Sequence, residues 1–219
     1  MKVLALETST NACSAALWID GEGHETFELA PNRHSALILP MVQDLLAEAG
    51  MGVSACDSIA FGQGPGSFTG LRIGVGVAQG LAFGADVPVV PVSSLQAQAC
   101  RFEVENLFAA FDARMGQVYW GKYRMGPNRF MQSYGSVGLS APGAICLPPD
   151  QTWLAVGTGC DKYRTGIEQA NYATEICFIP GSFPHALDVA RLGAMLYQQG
   201  KAIPAGRAVP DYVRNRVTS

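Results

Sequence analysis

Gly62-Gln-Gly-Pro-Gly-Ser-Phe-Thr-Gly-Leu-Arg-Ile-Gly-Val-Gly-Val-Ala-Gln-Gly-Leu-Ala82 begins as a glycine loop and continues with helical spacing. Gly62, Gly64 and Gly66 surround Pro65, which requires a tight turn. Small residues then recur at every fourth position: Gly70, Gly74, Ala78 and Ala82 in one row, Gly76, Gly80 and Gly84 in another. On a helix such rows lie along one side. Each Gly costs roughly 0.5–1 kcal/mol against Ala in a helix interior. A helix over 69–85 therefore holds only where packing needs a very close approach of backbones. The stretch is either a phosphate cradle or a tight contact surface.

The segments before it read as a meander. An apolar run over 2–6 ends at Glu7, and Thr8-Ser-Thr-Asn11 is turn chemistry. A strand over 13–19 meets Asp20-Gly21, a hairpin signal, and a third strand covers 24–29. Asn32 is placed to cap a helix from Arg33 to Ala49, with Gly50 at its end. Its apolar residues are Leu37, Ile38, Leu39, Met41, Val42, Leu45 and Leu46. They cover an arc of roughly 200°, against the roughly 100° that one packing face needs. The excess faces either a second internal element or a partner. Pro40 lies within the helix, so it starts late or bends there.

After the glycine stretch comes a strand over 88–92, and Ser93-Ser-Leu-Gln96 matches a capping box. The chain then starts again. A strand over 106–111 ends at Asp112, Ala113-Arg-Met-Gly116 turns, and a strand runs over 117–123. Strand, terminal carboxylate, turn and strand occur at both 3–19 and 107–123, an internal duplication of pattern. A strand over 153–156 leads to Gly157-Thr-Gly159, and a helix is expected over 184–199. Residues 126–152 read as loops and edge strands. The domain change falls near residue 100, giving domains 1–100 and 101–219 with the tail packing back on the first.

Apolar residues make up 48% of 219, enough for a buried core. A formal net charge of −3 argues against a chain that grips nucleic acid alone. The locally basic end (Lys201, Arg207, Arg214 and Arg216 against Asp211) reads as a solvated tail. Cys13, Cys56, Cys100, Cys146, Cys160 and Cys177 form no C-x-x-C pair and read as buried thiols in a reducing cytosol. The start is too short for a signal peptide, and the longest uncharged run is too short to cross a membrane. The expectation is a soluble, cytoplasmic protein.

Two polar hairpin tips with terminal carboxylates could cradle phosphates from two sides, and a glycine loop entering a helix adds a dipole. That points to a nucleotide cleft of ancestral type. No P-loop motif is present. His24, His34 and His185 are scattered, with His34 read as a surface or capping residue. Ser67 lies outside any G-x-S-x-G elbow and reads as a helix cap.

Ala5-Leu-Glu-Thr-Ser-Thr10, Gly64-Pro-Gly-Ser-Phe-Thr-Gly-Leu-Arg-Ile-Gly74, Asp112-Ala-Arg114 and Pro210-Asp-Tyr-Val-Arg214 together resemble the TsaB (YeaZ) family over essentially the whole chain. The resemblance implies an α/β fold of the actin/Hsp70/sugar-kinase (ASKHA) kind, duplicated, with mixed sheets flanked by helices. It implies a part in bacterial synthesis of N6-threonylcarbamoyladenosine on tRNA. There a TsaD-like transferase performs the transfer and this paralogue is its dimerisation partner, with a TsaE-like ATPase joining them. Homodimers in isolation, tRNA contact mainly through the partner and no membrane association are further implications. TsaD-like proteins carry two metal-binding histidines four apart after the glycine helix. The matching positions here are Ser94 and Gln98, neither of comparable ligand strength. Their Asp-Glu pair of the first hairpin matches Asn11 and Ala12.

The expectation is therefore a non-catalytic subunit with no catalytic residue, no metal and no cofactor of its own, though ATP or ADP could lie at the partner junction. Its partner interface is expected at Leu37, Ile38, Met41, Leu45, Gly70, Ile73, Gly74, Val77 and Leu81. A vestigial nucleotide cleft is expected at Glu7, Thr8, Ser9, Gly66, Asp112 and Gly157. The alternatives are an ASKHA-type ATPase or small-molecule kinase working at those cleft residues, and a metalloprotease, which the missing histidine pair disfavours.

Overall fold

The computed structural model describes residues 1–213. In chain order the elements are β1 (Lys2–Glu7), β2 (Ala12–Ile19), β3 (Glu22–Leu29), α1 (His34–Glu48), β4 (Ser58–Gly64), α2 (Phe68–Ala85), β5 (Val89–Ser93) and α3 (Ser94–Cys100). Then follow β6 (Asn106–Asp112), β7 (Val118–Met125), β8 (Met131–Ser133), β9 (Gly138–Ser140), β10 (Trp153–Val156), α4 (Thr158–Ala170), β11 (Ile176–Ile179) and α5 (Ala186–Gln198). They divide into two compact units, Met1–Ala97 with Pro184–Asp211, and Gln98–Phe183 with Tyr212.

The first unit holds a sheet of order β3-β2-β1-β4-β5. β1, β2 and β3 run antiparallel, while β4 and β5 run parallel to β1. The second unit repeats the plan as β11-β10-β6-β7-β8, with β9 also paired to β7. Here β6 and β7 are antiparallel, and β10 and β11 are parallel to β6. An antiparallel hairpin whose first strand is central, extended by parallel strands through crossover helices, thus occurs in both units. This is a duplicated α/β plan with mixed sheets flanked by helices, as the resemblance implied.

Alternation along β1 sets the layers of the first unit. Leu4 and Leu6 join Cys13, Ala15, Leu17, Ile59 and Phe61 in a core covered by α1 and α2. α5 packs on β1, β2 and β4, with Gly193 set against Ala60 and Val3. Ser14 Oγ accepts from Ala186 N at 2.9 Å, and Glu25 accepts from Leu187 N at 3.1 Å and meets His185 Nδ1 at 2.7 Å. The return segment then lies along α2 and the sheet. Val89 and Ile203 exchange backbone hydrogen bonds, and Gln79 Nε2 donates to the carbonyls of Ala205 and Ala208. The helix expected over 184–199 thus belongs to the first unit.

Several local expectations change. Asn32 does not cap α1; it takes a left-handed turn (φ 64°), and Arg33 stands at the N-cap without a side-chain cap. Pro40 sits inside a continuous helix on its exposed side. His34 is buried, its Nε2 3.1 Å from the Ala12 carbonyl, so it ties α1 to β2 rather than lying at the surface. Cys146 and Cys177 are exposed, contrary to the expectation of six buried thiols; burial pushes the Cys13 and Cys56 thiols up to about 11. α4 and β11 carry no strong apolar pattern in sequence and emerge only in the fold. Arg214 and Arg216 lie outside the described residues.

The two glycine rows of α2 have different surroundings. A Cβ at Gly66, Gly70 or Gly74 would collide with Ser9 or Thr8, whereas one at Gly76, Gly80 or Gly84 would meet nothing within 4 Å among the described residues. Gly70→Ala should therefore destabilise the protein by about 1–3 kcal/mol, while Gly76→Ala should stabilise it by up to about 1 kcal/mol. Chemical denaturation of both variants checks this; equal shifts of the same sign would contradict it.

Candidate functional site

In the first unit the site is built where the β1–β2 turn meets the start of α2. Ser67 N donates to Ser9 O at 2.7 Å, and Thr8 Oγ1 donates to Gly70 O at 2.8 Å. These bonds satisfy a buried turn only because glycines bring the helix backbone against it. Ser67 caps α2 as expected, its Oγ 3.4 Å from Gly70 N. Glu7, Thr8, Ser9 and Gly66 are brought together here.

Glu7 closes β1 and is 1% exposed. Its Oε1 accepts from Ser9 N at 2.6 Å. Its Oε2, with the buried Ser9 and Ser94 hydroxyls, lacks a well-formed hydrogen bond. A Cβ at Gly62 would overlap Glu7 Oε2, so that glycine makes room for the carboxyl group. Burial raises the Glu7 pKa, and the adjacent Ser9 and Ser94 groups offset this in part.

Asp112 is the matching residue of the second unit, at the end of β6. Its Oδ2 accepts from Lys162 Nζ at 2.7 Å, and its Oδ1 from Arg114 N at 2.9 Å and Tyr163 Oη at 3.2 Å. Burial alone would raise its pKa; Lys162, then Arg114 and Tyr163, overcome this and lower it. Gly157 has φ 99°, and Gly157 and Gly159 pack on the backbone of Ala110 and Phe111. Asp112 and Gly157 therefore belong to one cluster that repeats the helix-on-hairpin device within the second unit.

Ser94, at the start of α3, is buried against Glu7. One turn later Gln98 Nε2 donates to Ser182 Oγ at 2.5 Å. Asn11 is exposed and Ala12 buried. Among the described residues no three His, Cys, Asp or Glu side chains gather where they could hold a metal ion.

The expected interface residues divide. Ile38, Met41 and Leu45 are buried in the first-unit core, and Gly70 and Gly74 face the β1–β2 turn. These five are internal, because the sheet beneath α1 and α2 takes up most of the wide apolar arc. Leu37, Ile73, Val77 and Leu81 are half-buried at its margin. With them on α2 stand exposed Gly76, Gly80 and Gly84, and Phe83, which is 83% exposed. Periodicity alone does not single out Phe83, which lies within the run expected as helix over 69–85.

Fold and site together define a duplicated α/β protein of two mixed sheets, with one buried and one ion-paired terminal carboxylate. A profile described as "TsaD: tRNA N6-adenosine threonylcarbamoyltransferase" matches residues 27–143. The chain is 37% identical over 224 residues to "tRNA threonylcarbamoyladenosine biosynthesis protein TsaB" of Escherichia coli, covering 99% of this chain and 96% of that one. It is 41% identical over 230 residues to the protein of the same description from Haemophilus influenzae, covering 100% and 95%. The solved structure "YeaZ from Pseudomonas aeruginosa" superimposes with a TM-score of 0.90 at 40% identity, over 96% of this chain and 99% of that one. The chain belongs to the TsaB family. No helix among the described residues is long and apolar enough to cross a membrane.

The raised pKa of Glu7 fixes a pH dependence. The folded state holds the proton more tightly than the unfolded state, so the contribution of Glu7 is fully present below the unfolded pKa. It is lost as pH rises through the folded value. Glu7→Gln, which does not titrate, should gain in melting temperature relative to wild type between pH 5 and pH 8. A difference that stays constant across that range would contradict the buried, proton-retaining carboxyl group.

Proposed function

We propose that this chain is a non-catalytic subunit in the synthesis of threonylcarbamoyladenosine on tRNA, binding and supporting a TsaD-like transferase. The observation that carries this reading is the outer face of α2. Gly76, Gly80 and Gly84 leave open space along the helix, flanked by half-buried Ile73, Val77 and Leu81 and by exposed Phe83. Three exposed helix glycines cost roughly 1.5–3 kcal/mol in the isolated chain. They lower the surface so that a second helix can approach closely. A contiguous apolar face of this kind marks a protein contact.

The descriptions of the relatives support the process, and a TsaD-like transferase is proposed as the partner from the resemblance of the motifs. A TsaE-like ATPase is the further partner, and a second copy of this chain covers the same face in isolation. The state of the two carboxylates supports an accessory role over an ATPase or kinase. Glu7 is 1% exposed with Oε1 bonded to Ser9 N, and Asp112 is ion-paired with Lys162.

Gly80→Arg and Val77→Arg test the interface. Gly80 is open, so its variant keeps the fold and gains helix propensity. Both variants should lose co-purification with the TsaD-like transferase, by about tenfold or more in affinity for a charge placed in an apolar contact. Folded variants that bind as wild type does would place the interface elsewhere.

A further inference from the structure

One face of β7 in the second unit carries two cations that no carboxylate among the described residues pairs with. Along β7, alternation places Val118, Trp120, Lys122 and Arg124 on one face. Val118 and Trp120 pack in the core of that unit, and the row continues outward as Lys122 and Arg124. Among the described residues Lys122 Nζ donates to the Cys146 carbonyl, at 3.4 Å. Arg124 donates to Asn106 Oδ1 at 3.2 Å and to Gln151 Oε1 at 2.8 Å, both neutral. Arg129, at the far end of the same hairpin, is by contrast ion-paired with Glu103. Half-buried cations with neutral partners keep their full charge while losing part of their hydration. They leave a local demand for an anion.

An aromatic plane lies beside this charge. The Arg124 guanidinium stands 3.7 Å from the Tyr134 ring centroid, and Lys122 Nζ is 5.8 Å from both the Tyr134 and Trp120 centroids. Tyr134 is 37% exposed. Two cations beside a partly exposed ring on one face of the sheet fit a ligand that alternates phosphate with planar base, not an enclosed metabolite. We propose that Lys122, Arg124 and Tyr134 form a contact for RNA, holding one or two backbone phosphates and offering Tyr134 for stacking. The identity of that RNA as tRNA rests on the function proposed above. With a net charge of −3 the chain supplies a small contact, additional to the transferase's own.

The test is a salt titration of fluorescently labelled, unmodified tRNA transcript binding to the co-purified complex of this chain and the transferase. Lys122→Gln should weaken binding and reduce the magnitude of the log–log salt slope by about 0.7–0.9. Tyr134→Ala should weaken binding by about fivefold or more with the slope unchanged. Arg124→Lys keeps the charge and should keep the slope, which guards against loss of the Asn106 and Gln151 bonds. Unchanged affinity and slope in Lys122→Gln and Tyr134→Ala, with unchanged melting curves, would overturn the proposal. So would loss of binding to polyglutamate with tRNA binding intact. If no complex co-purifies, the functional reading fails separately, and the same titration on this chain alone still decides the RNA contact.

Discussion

The structure depends on one close approach, that of the α2 backbone to the β1–β2 turn. Gly66 and Gly70 abut the carbonyls of Ser9 and Thr8, and Gly74 abuts the Thr8 hydroxyl. A side chain at any of these positions would lift the helix and break the Ser67–Ser9 and Thr8–Gly70 hydrogen bonds. The buried turn would then hold unpaired polar groups, each costing about 1–3 kcal/mol. Lifting α2 would also open the core that Val75, Ala78 and Ala82 close against β1 and β4. The second unit solves the same problem with Gly157 and Gly159 against Ala110 and Phe111. The duplication is thus one of physical device as well as strand order.

The small residues of α2 have two separate causes. The inward row is required by the fold. The outward row, Gly76, Gly80 and Gly84, leaves room for a Cβ that would meet nothing within 4 Å among the described residues, and it weakens the helix. The interface proposed above would account for it. The carboxylates that end β1 and β6 each make contacts within their own unit. Glu7 lies in a pocket cleared by Gly62, and Asp112 anchors the start of α4 through Lys162 and Tyr163.

Much of this was legible in the sequence. Alternation and turn residues mark β1, β2 and β3, and Asp112 marks the end of β6. Ser67 announces the α2 cap. The family motifs point to the duplicated fold and the lineage. The division of the interface residues was not legible. Periodicity shows that Ile38, Met41 and Leu45 share a stripe with Leu37, but not how much of the stripe the sheet covers. Nor does spacing tell Gly74, pressed on Thr8, from Gly76 two positions on. α4 was hidden because Cys160 and Ile167 are its buried side chains amid polar neighbours, and its packing rests on Gly159. The cations Lys122 and Arg124 look paired in a chain of balanced charge. Only their neutral partners set them apart.

The central claim is that this chain supports a reaction it does not itself perform. The most direct measurement is reconstitution of threonylcarbamoyl transfer to tRNA with the TsaD-like transferase, the TsaE-like ATPase and a threonylcarbamoyl-adenylate supply, with and without this chain. The account predicts that transfer falls to background when the chain is omitted and returns in full with Glu7→Gln. Transfer that proceeds equally well without the chain would contradict it, as would transfer by this chain in the absence of the transferase.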